Sequence, residues 1–360
     1  MTRPAPRPGI RDMPAYMRGL SKVEGQDRVL KLSSNENPFG PSPLAVAAAR
    51  GELDAMHRYP EAGQTALREA IGRHFDLDPA RILCGAGSDQ LLNLLVQAYT
   101  QPGDEVVFSA NGFAKFRLYA MAVGALPVAV PDRDFVADVD AILAAVTART
   151  RIVALANPDN PTSTCLPGRE LARLHAGLPD RVLLVVDAAY ADYVRLDDYE
   201  PGSGLAGENV VMSRTFSKIF ALAAMRIGWV HAPLHVVEVL ARIEPSFPLT
   251  APALAAAVAA LDDHPHRMRA RRHNDEWLPR FGARLEELGL TVYPSQANFV
   301  TVRFPGGDRG AAAADAHLLS RGIIARRFVA PAFADCLRIT IGLADDMRAT
   351  GDALAELLHG

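Results

Sequence analysis

Lys218 lies in Ser213-Arg214-Thr215-Phe216-Ser217-Lys218-Ile219-Phe220-Ala221-Leu222-Ala223-Ala224-Met225-Arg226, a mostly apolar stretch that sets one amine beside two hydroxyls and an arginine. An amine that can lose its proton next to an anchored anion is what a Schiff base to pyridoxal phosphate requires. A lone lysine is ordinarily a surface residue, and here the neighbours decide against that reading. Arg226 can clamp a phosphate with two parallel hydrogen bonds while the lysine reaches the aldehyde carbon, and Thr215 and Ser217 offer hydroxyls to the same anion.

Four further motifs carry polar groups where chemistry could use them. Gly85-Ala86-Gly87-Ser88-Asp89-Gln90 opens a helical pattern containing Leu91, Leu92, Leu94 and Leu95. The free amides of a helix start could hold a phosphate, although a plain strand-to-helix turn with a serine cap reads the same way. Gln90 stands where the dinucleotide fingerprint needs a small residue. In Asn157-Pro158-Asp159-Asn160-Pro161-Thr162, two prolines stiffen a turn that can aim an amide side chain, or simply make a loop. Asp187 closes the apolar run Leu183-Leu184-Val185-Val186, so its carboxylate is expected to be buried and in need of a cation. A protonated pyridine nitrogen would be such a cation, with the Tyr190 phenol in reach of the ring oxygen; a helix cap is the competing role. Arg338, inside Cys336-Leu337-Arg338-Ile339-Thr340-Ile341, needs an anion, either a substrate carboxylate or a structural ion pair.

The elements that must position these groups follow from the apolar pattern. Short β-branched runs at 81–84, 105–108, 127–130, 152–156, 182–186, 210–213 and 227–231 alternate with helical patterns, as parallel strands joined by crossover helices do. The motifs fall at or after the C-terminal ends of those runs, where an open α/β sheet collects its ligands. Beyond Pro248 the pattern changes to an Ala-rich stretch, a highly charged one at 264–288, and two apolar runs at 298–304 and 336–341. The fold class is α/β: a large domain with a mostly parallel seven-stranded sheet between helices, plus a smaller α+β C-terminal domain. A long helix near residues 230–285 is expected to join them. The division is an N-terminal arm at 1–40, a large domain at 41–245 and a small domain at 246–360.

Composition narrows the class. With 360 residues, 49% hydrophobic and 22% charged, the chain is long enough for a sizeable core and ordinary for a soluble protein. A net charge of -3 leaves no electrostatic footprint for nucleic acid or an anionic membrane. Cys84, Cys165 and Cys336 are far apart and lack a C-x-x-C pair, which fits a reducing cytoplasm and neither a disulfide framework nor a zinc site. The Pro- and Arg-rich start leads into no apolar segment of the secretory kind, and the longest apolar windows are too short to span a bilayer. His264 and His266 have no Cys at ligand spacing, and no metal is assigned. The basic run 267–273 is read as a solvated helix face.

In their order along the chain these motifs resemble the fold-type I pyridoxal-phosphate-dependent aminotransferases, and more closely the histidinol-phosphate aminotransferase family. The resemblance extends over nearly the whole chain, through Leu32-Ser33-Ser34-Asn35-Glu36-Asn37-Pro38, Arg58-Tyr59-Pro60, the motifs above, and Pro294-Ser295-Gln296-Ala297-Asn298-Phe299. It implies that Lys218 carries the cofactor, Asp187 pairs with the pyridine nitrogen, and Tyr190 and Asn160 hydrogen-bond the ring oxygen. Gly87, Ser88, Asp89, Thr215, Ser217 and Arg226 would surround the phosphate, and Phe113 would stack on the ring. Tyr59 would reach the cofactor phosphate of a neighbouring subunit, which implies a homodimer with shared active sites. Arg338 would hold the substrate carboxylate, with Asn160 beside it, and Arg326 and Tyr16 a substrate phosphate. The implied activity is reversible transamination between small amino and 2-oxo acids, of histidinol phosphate with 2-oxoglutarate. An aromatic or other amino-acid aminotransferase, or a decarboxylase of a phosphorylated amino acid, are the alternatives on this scaffold. The chain departs from the family pattern at Ala86, Gln90, Ala224, Met225 and Ser163, the last standing where a glycine is usual. If that position needs a positive φ, the serine costs on the order of 1 kcal/mol.

Overall fold

The computed structural model describes residues 3–14, 19–25, 29–328 and 330–359. The first part of the chain runs β1 (Leu30–Lys31), α1 (Pro43–Gly51), α2 (Thr65–Phe75), β2 (Ile82–Gly85), α3 (Ser88–Tyr99), β3 (Glu105–Ser109), α4 (Lys115–Val123) and β4 (Leu126–Val130). It continues through α5 (Val139–Ala145), β5 (Thr150–Ala156), α6 (Gly168–Gly177), β6 (Leu183–Asp187), β7 (Val210–Thr215), β8 (Gly228–His231), α7 (Leu234–Ala241), α8 (Ala251–Asp262) and α9 (His264–Glu287). The last part holds β9 (Thr291–Val292), β10 (Phe299–Arg303), α10 (Ala311–Ser320), β11 (Ile323–Ile324), β12 (Arg326–Arg327), β13 (Cys336–Thr340) and α11 (Ala344–His359).

All seven runs expected as strands belong to one sheet of order β2-β8-β7-β6-β5-β3-β4, with ends shifted by one or two residues. Neighbouring strands are parallel except at β8, which is antiparallel to both β2 and β7. Successive side chains on a strand point to opposite faces, and the core splits accordingly. Val106, Phe108, Ile152, Ala154, Leu183 and Val185 pack with α3 and α4 on one face. Val107, Val153, Leu155, Leu184 and Val186 pack with α5 and α6 on the other. Burial on both faces is why these strands read as continuous apolar runs. Only β4 shows exposed residues, and it is the edge strand that tolerates Pro127.

The antiparallel turn from β7 to β8 gives the fold its site. Residues 216–227 make this connection, so Lys218 and Arg226 are held at the sheet end where β5 and β6 also finish. A Cβ at Gly228 would overlap the Ser88 amide, so only glycine lets β8 pack this closely on the start of α3.

The C-terminal domain is smaller: a four-stranded antiparallel sheet of order β12-β13-β10-β9 covered by α9, α10 and α11. Residues 30–35 run alongside it. β1 pairs in parallel with β11, the Leu32 carbonyl accepts the Thr340 amide, and the Asn35 amide donates to the Thr340 hydroxyl. Instead of one long helix over residues 230–285 there are three helices, α7, α8 and α9. Pro245 and Pro248 remove amides from the first break, and Asp263 caps α9 by accepting the His266 amide. The basic run on α9 is not simply a solvated face. Arg271 donates to the Val194 carbonyl, Arg267 to His74, and Arg269 lies over the Phe39 ring.

Candidate active site

The ends of β3, β5, β6 and β7 face β12 and β13 across a cavity of about 590 Å³, of the size that holds a small organic ligand. Ser88, Phe113, Asn160, Asp187, Tyr190, Thr215, Ser217, Lys218, Arg226, Arg326 and Arg338 all line it. These residues span 250 positions of sequence from Ser88 to Arg338. Tyr16 lies outside the described residues. Tyr59 lies on another surface, 81% exposed and stacked on Phe247 at 4.3 Å.

Lys218 is partly enclosed, with its Nζ donating to the Ser34 carbonyl at 3.1 Å and lying 5.5 Å from the Tyr190 ring centre. Burial, reinforced by the Arg338 guanidinium, pulls its pKa down to about 7, so a large fraction of the amine is neutral near neutral pH. Asp187, the last residue of β6, is buried, and its Oδ1 has no hydrogen-bond partner among the described residues. Burial, with Asp89 nearby, raises its pKa to about 7 against the opposing charge of Lys218. A buried carboxylate oxygen without a partner is costly unless a cation completes it.

Beside it is a cradle for an anion. The Ser217 hydroxyl stands 3.0 Å from the Thr215 hydroxyl and 3.4 Å from Arg226 Nη1. Arg226 is left-handed at φ 53, a conformation that non-glycine residues hold only against strain. Its guanidinium reaches Gly87, where a Cβ would collide with it. Gly87 caps the twelve-residue helix α3, leaving the amides of Ser88 and Asp89 without intrahelical partners. The Asp89 side chain is engaged elsewhere: it accepts the Tyr119 hydroxyl, pairs with Lys115 at 3.5 Å, and does not line the cavity. Gln90 has a local explanation, since its Oε1 accepts the Ala86 amide at 2.7 Å in a cap of the helix entry.

On the opposite side, Arg338 is buried and donates to Asn160 Oδ1 and, at 2.6 Å, to the Ser33 carbonyl. The Asn160 turn is fixed from below. The Asn157 side chain donates to the Leu166 carbonyl and accepts the Leu166 amide, the Asp159 carboxylate accepts the Asn160 amide at 2.7 Å, and the Thr301 hydroxyl donates to the Pro161 carbonyl. Ser163 has a φ of 66, so the position does need the left-handed region. Its hydroxyl proton is shared between the Thr162 carbonyl and, at 3.2 Å, the Pro294 carbonyl, and its own carbonyl accepts the Gln296 amide.

The sequence reading gave no role to residues 33–35, yet Ser33, Ser34 and Asn35 brace three site groups. Their contacts are the two carbonyls above and Asn35 Nδ2, which donates to the Tyr190 hydroxyl at 2.8 Å. The polar run Ser33-Ser34-Asn35-Glu36-Asn37 before Pro38 was the available signal. Phe328 and Phe333 also line the cavity and were not singled out.

The chain is similar to known proteins over nearly its whole length. The pattern that defines aminotransferase class I and II matches residues 27–352. The chain is 52% identical to histidinol-phosphate aminotransferase of Paramagnetospirillum magneticum over 99% of both chains. It is 50% identical to that of Rhodospirillum centenum over the full length of both. Among solved structures, histidinol-phosphate aminotransferase of Sinorhizobium meliloti in complex with pyridoxal 5'-phosphate superposes with a TM-score of 0.89 at 31% identity, covering 98% of this chain and 97% of that one.

Proposed function

The chain belongs to the class I and II aminotransferases, and on that footing we propose that it exchanges the amino group of L-histidinol phosphate with 2-oxoglutarate, using pyridoxal phosphate. The observation that carries the chemistry is the placement of Lys218, whose pKa is pulled down to about 7, and the unpartnered Asp187 Oδ1 in one cavity. The residues fit the cofactor. Lys218 would hold it through Nζ, Asp187 Oδ1 would accept a hydrogen bond from a protonated ring nitrogen, and Tyr190 would face the ring oxygen. The Ser88 and Asp89 amides with Thr215, Ser217 and Arg226 would hold a phosphate dianion, and Phe113 would cover a ring face.

When bound, the cofactor supplies the electron sink for the negative charge that develops at the substrate Cα. The chain does the rest. The Lys218 amine would take the proton from the substrate Cα and return it, which an amine with a pKa near 7 can do in both directions. Asp187 would keep the ring nitrogen of the bound cofactor protonated. Arg338 holds the carboxylate of the dicarboxylic substrate, and Arg326 on the same wall takes the phosphate of the other. Relatives at half identity over full length support histidinol phosphate over an aromatic amino acid or a decarboxylation.

The active unit we propose is a cytoplasmic homodimer. Met56 (72% exposed), Leu53, Ile243 and Phe247 are apolar residues left bare, exposed Tyr59 lines a second cavity between α1, α2 and α8, and three thiols are free. Among the described residues no helix is long and apolar enough to cross a membrane. The test of substrate is a single half-reaction of the cofactor-loaded protein, followed by cofactor absorbance, with L-histidinol phosphate, phenylalanine, tyrosine and aspartate in turn. Fast bleaching by histidinol phosphate is the expected result, and a preference for an aromatic or acidic amino acid would sink this substrate. Sedimentation at micromolar concentration tests the dimer, and a monomer there would remove the shared-site role of Tyr59.

A further inference from the structure

Phe135 belongs to the large-sheet side of the molecule, in the turn between β4 and α5, yet its ring is spent on the C-terminal domain. It stacks on Phe333 with centroids 5.0 Å apart and planes 18° apart, and meets Tyr293 edge-on at 4.8 Å. The turn is a tight one, with Arg133 and Val136 exchanging backbone hydrogen bonds at 2.9 Å. Both central residues are left-handed, Asp134 at φ 51 and Phe135 at φ 61. Glycine or asparagine is the usual occupant of such positions, and a phenylalanine held there is a strained residue kept for what its side chain does. The turn is also pinned. The Thr164 hydroxyl donates to the Phe135 carbonyl at 2.5 Å, and Arg133 pairs with Asp138.

The stack continues into the active site. Phe333 is 2% exposed and packs on Phe328 at 5.4 Å, and both rings line the cavity. The Phe328 ring lies under the Arg338 guanidinium at 5.9 Å. An unbroken path of ring contacts therefore runs from a strained turn of one domain to the arginine read above as the carboxylate anchor.

We propose that Phe135 is a positioning residue for substrate binding: it buttresses Phe333 and Phe328 so that this wall of the cavity and Arg338 keep the geometry a substrate carboxylate needs. The proposal rests on the reading of Arg338 as that anchor. Phe135 itself does not line the cavity. Its removal acts on recognition through the wall and leaves the lysine, the cradle and Asp187 in place.

The test uses the full-length, cofactor-loaded protein and four variants, Phe135→Ala, Phe135→Leu, Phe135→Tyr and Arg338→Lys. Two quantities are read: the dissociation constant of maleate, a dicarboxylate that cannot react, from the cofactor absorbance, and kcat and KM for 2-oxoglutarate. F135A and F135L should weaken maleate and raise KM about tenfold with kcat within about twofold, while F135Y, which keeps a stackable ring, stays near the parent. R338K should weaken maleate at least as much. Folded F135A and F135L proteins that bind maleate normally would overturn the buttress while leaving the Arg338 reading intact. F135Y as impaired as F135A would overturn it too, because the stack is then not what matters. Loss of the fold in both F135A and F135L would make the ring a structural support instead. R338K binding maleate normally would overturn the anchor reading and the proposal with it.

Discussion

The floor of the cavity hangs from the ends of buried strands, whereas the facing wall sets one residue of a buried strand, Arg338 of β13, among groups that hang from a strand edge and a loop. Asp187 and Thr215 are the last residues of β6 and β7, in which every residue is buried, and Lys218 lies three positions past the second. Arg326 belongs to the two-residue edge strand β12, and Phe328 and Phe333 to the loop that follows it. A buried strand end holds a group still because its neighbours cannot move without opening the core, while an edge and a loop hold a group only through the contacts it makes itself. The floor is thus suited to chemistry that tolerates little displacement, and the wall to recognition that can be retuned by a few contacts.

If that division is right, floor substitutions should lower kcat and wall substitutions should raise KM. The largest effect is expected at Lys218. Lys218→Ala removes both tether and base, and turnover should fall by at least about 10⁴-fold. Steady-state assay over long incubation would check it, and a variant within about tenfold of the parent would place the chemistry elsewhere. Asp187→Asn comes next. The side chain keeps its shape but loses the charge that holds a protonated ring nitrogen, so kcat should drop about 10²- to 10³-fold with KM changed little. A matching rise in KM would instead show that the floor also sets recognition.

A third test asks whether the floor is as rigid as its burial implies. Asp159 is buried under the Asn160 turn, and its carboxylate lies 3.0 Å from where a Cβ on Gly112 would stand, beneath the loop that leads to Phe113. Burial, with Asp132 and Asp187 nearby, raises its pKa to about 8. A carboxyl whose folded pKa lies above its unfolded value binds a proton in the folded state that the unfolded chain has released. The contribution of Asp159 to stability therefore falls as pH rises from about 4 and levels off above about 8. Asp159→Asn keeps the proton-bearing shape and removes the titration. The variant should gain on the parent by a few kcal/mol, order of magnitude, between pH 5 and pH 8 and stay level beyond. Denaturant unfolding of the cofactor-free protein at several pH values would check this. A stability difference independent of pH would mean that the carboxyl titrates normally and the floor admits water.

The same contrast explains what the sequence made legible. Strands buried on both faces write themselves as apolar runs, so all seven strands of the main sheet were readable and Asp187 stood out at the end of one of them. Lys218, Arg226 and Ser88 were readable because each sits in a short local pattern. Contacts made at long range leave no such trace. Nothing near Ser34 says that its carbonyl will meet Lys218, 184 positions away, and nothing near Phe135 says that its ring will meet Phe333. The Asp89 carboxylate, engaged with Tyr119 and Lys115, shows the reverse. A motif can place a backbone amide correctly and leave the direction of its side chain open.

Ser163 is where floor and wall are sewn together, and its substitution should have the smallest effect. The left-handed φ of 66 costs a serine about 1 kcal/mol relative to glycine. Against this, the hydroxyl donates a proton shared between the Thr162 and Pro294 carbonyls, which contributes up to about 0.5–1.5 kcal/mol, and a serine leaves the unfolded chain less freedom than a glycine would. Ser163→Gly exchanges one for the other, and the backbone bond from the Gln296 amide to the residue 163 carbonyl survives the change. Net stability should move by no more than about 1 kcal/mol, a shift of under about 3 °C in Tm by calorimetry, with kcat unaltered. A loss of several kcal/mol would mean that the hydroxyl is the main tie between the two sides. A clear gain would mean that the strain dominates, and that the wall is held against the floor by Phe135 and Thr301 rather than by Ser163.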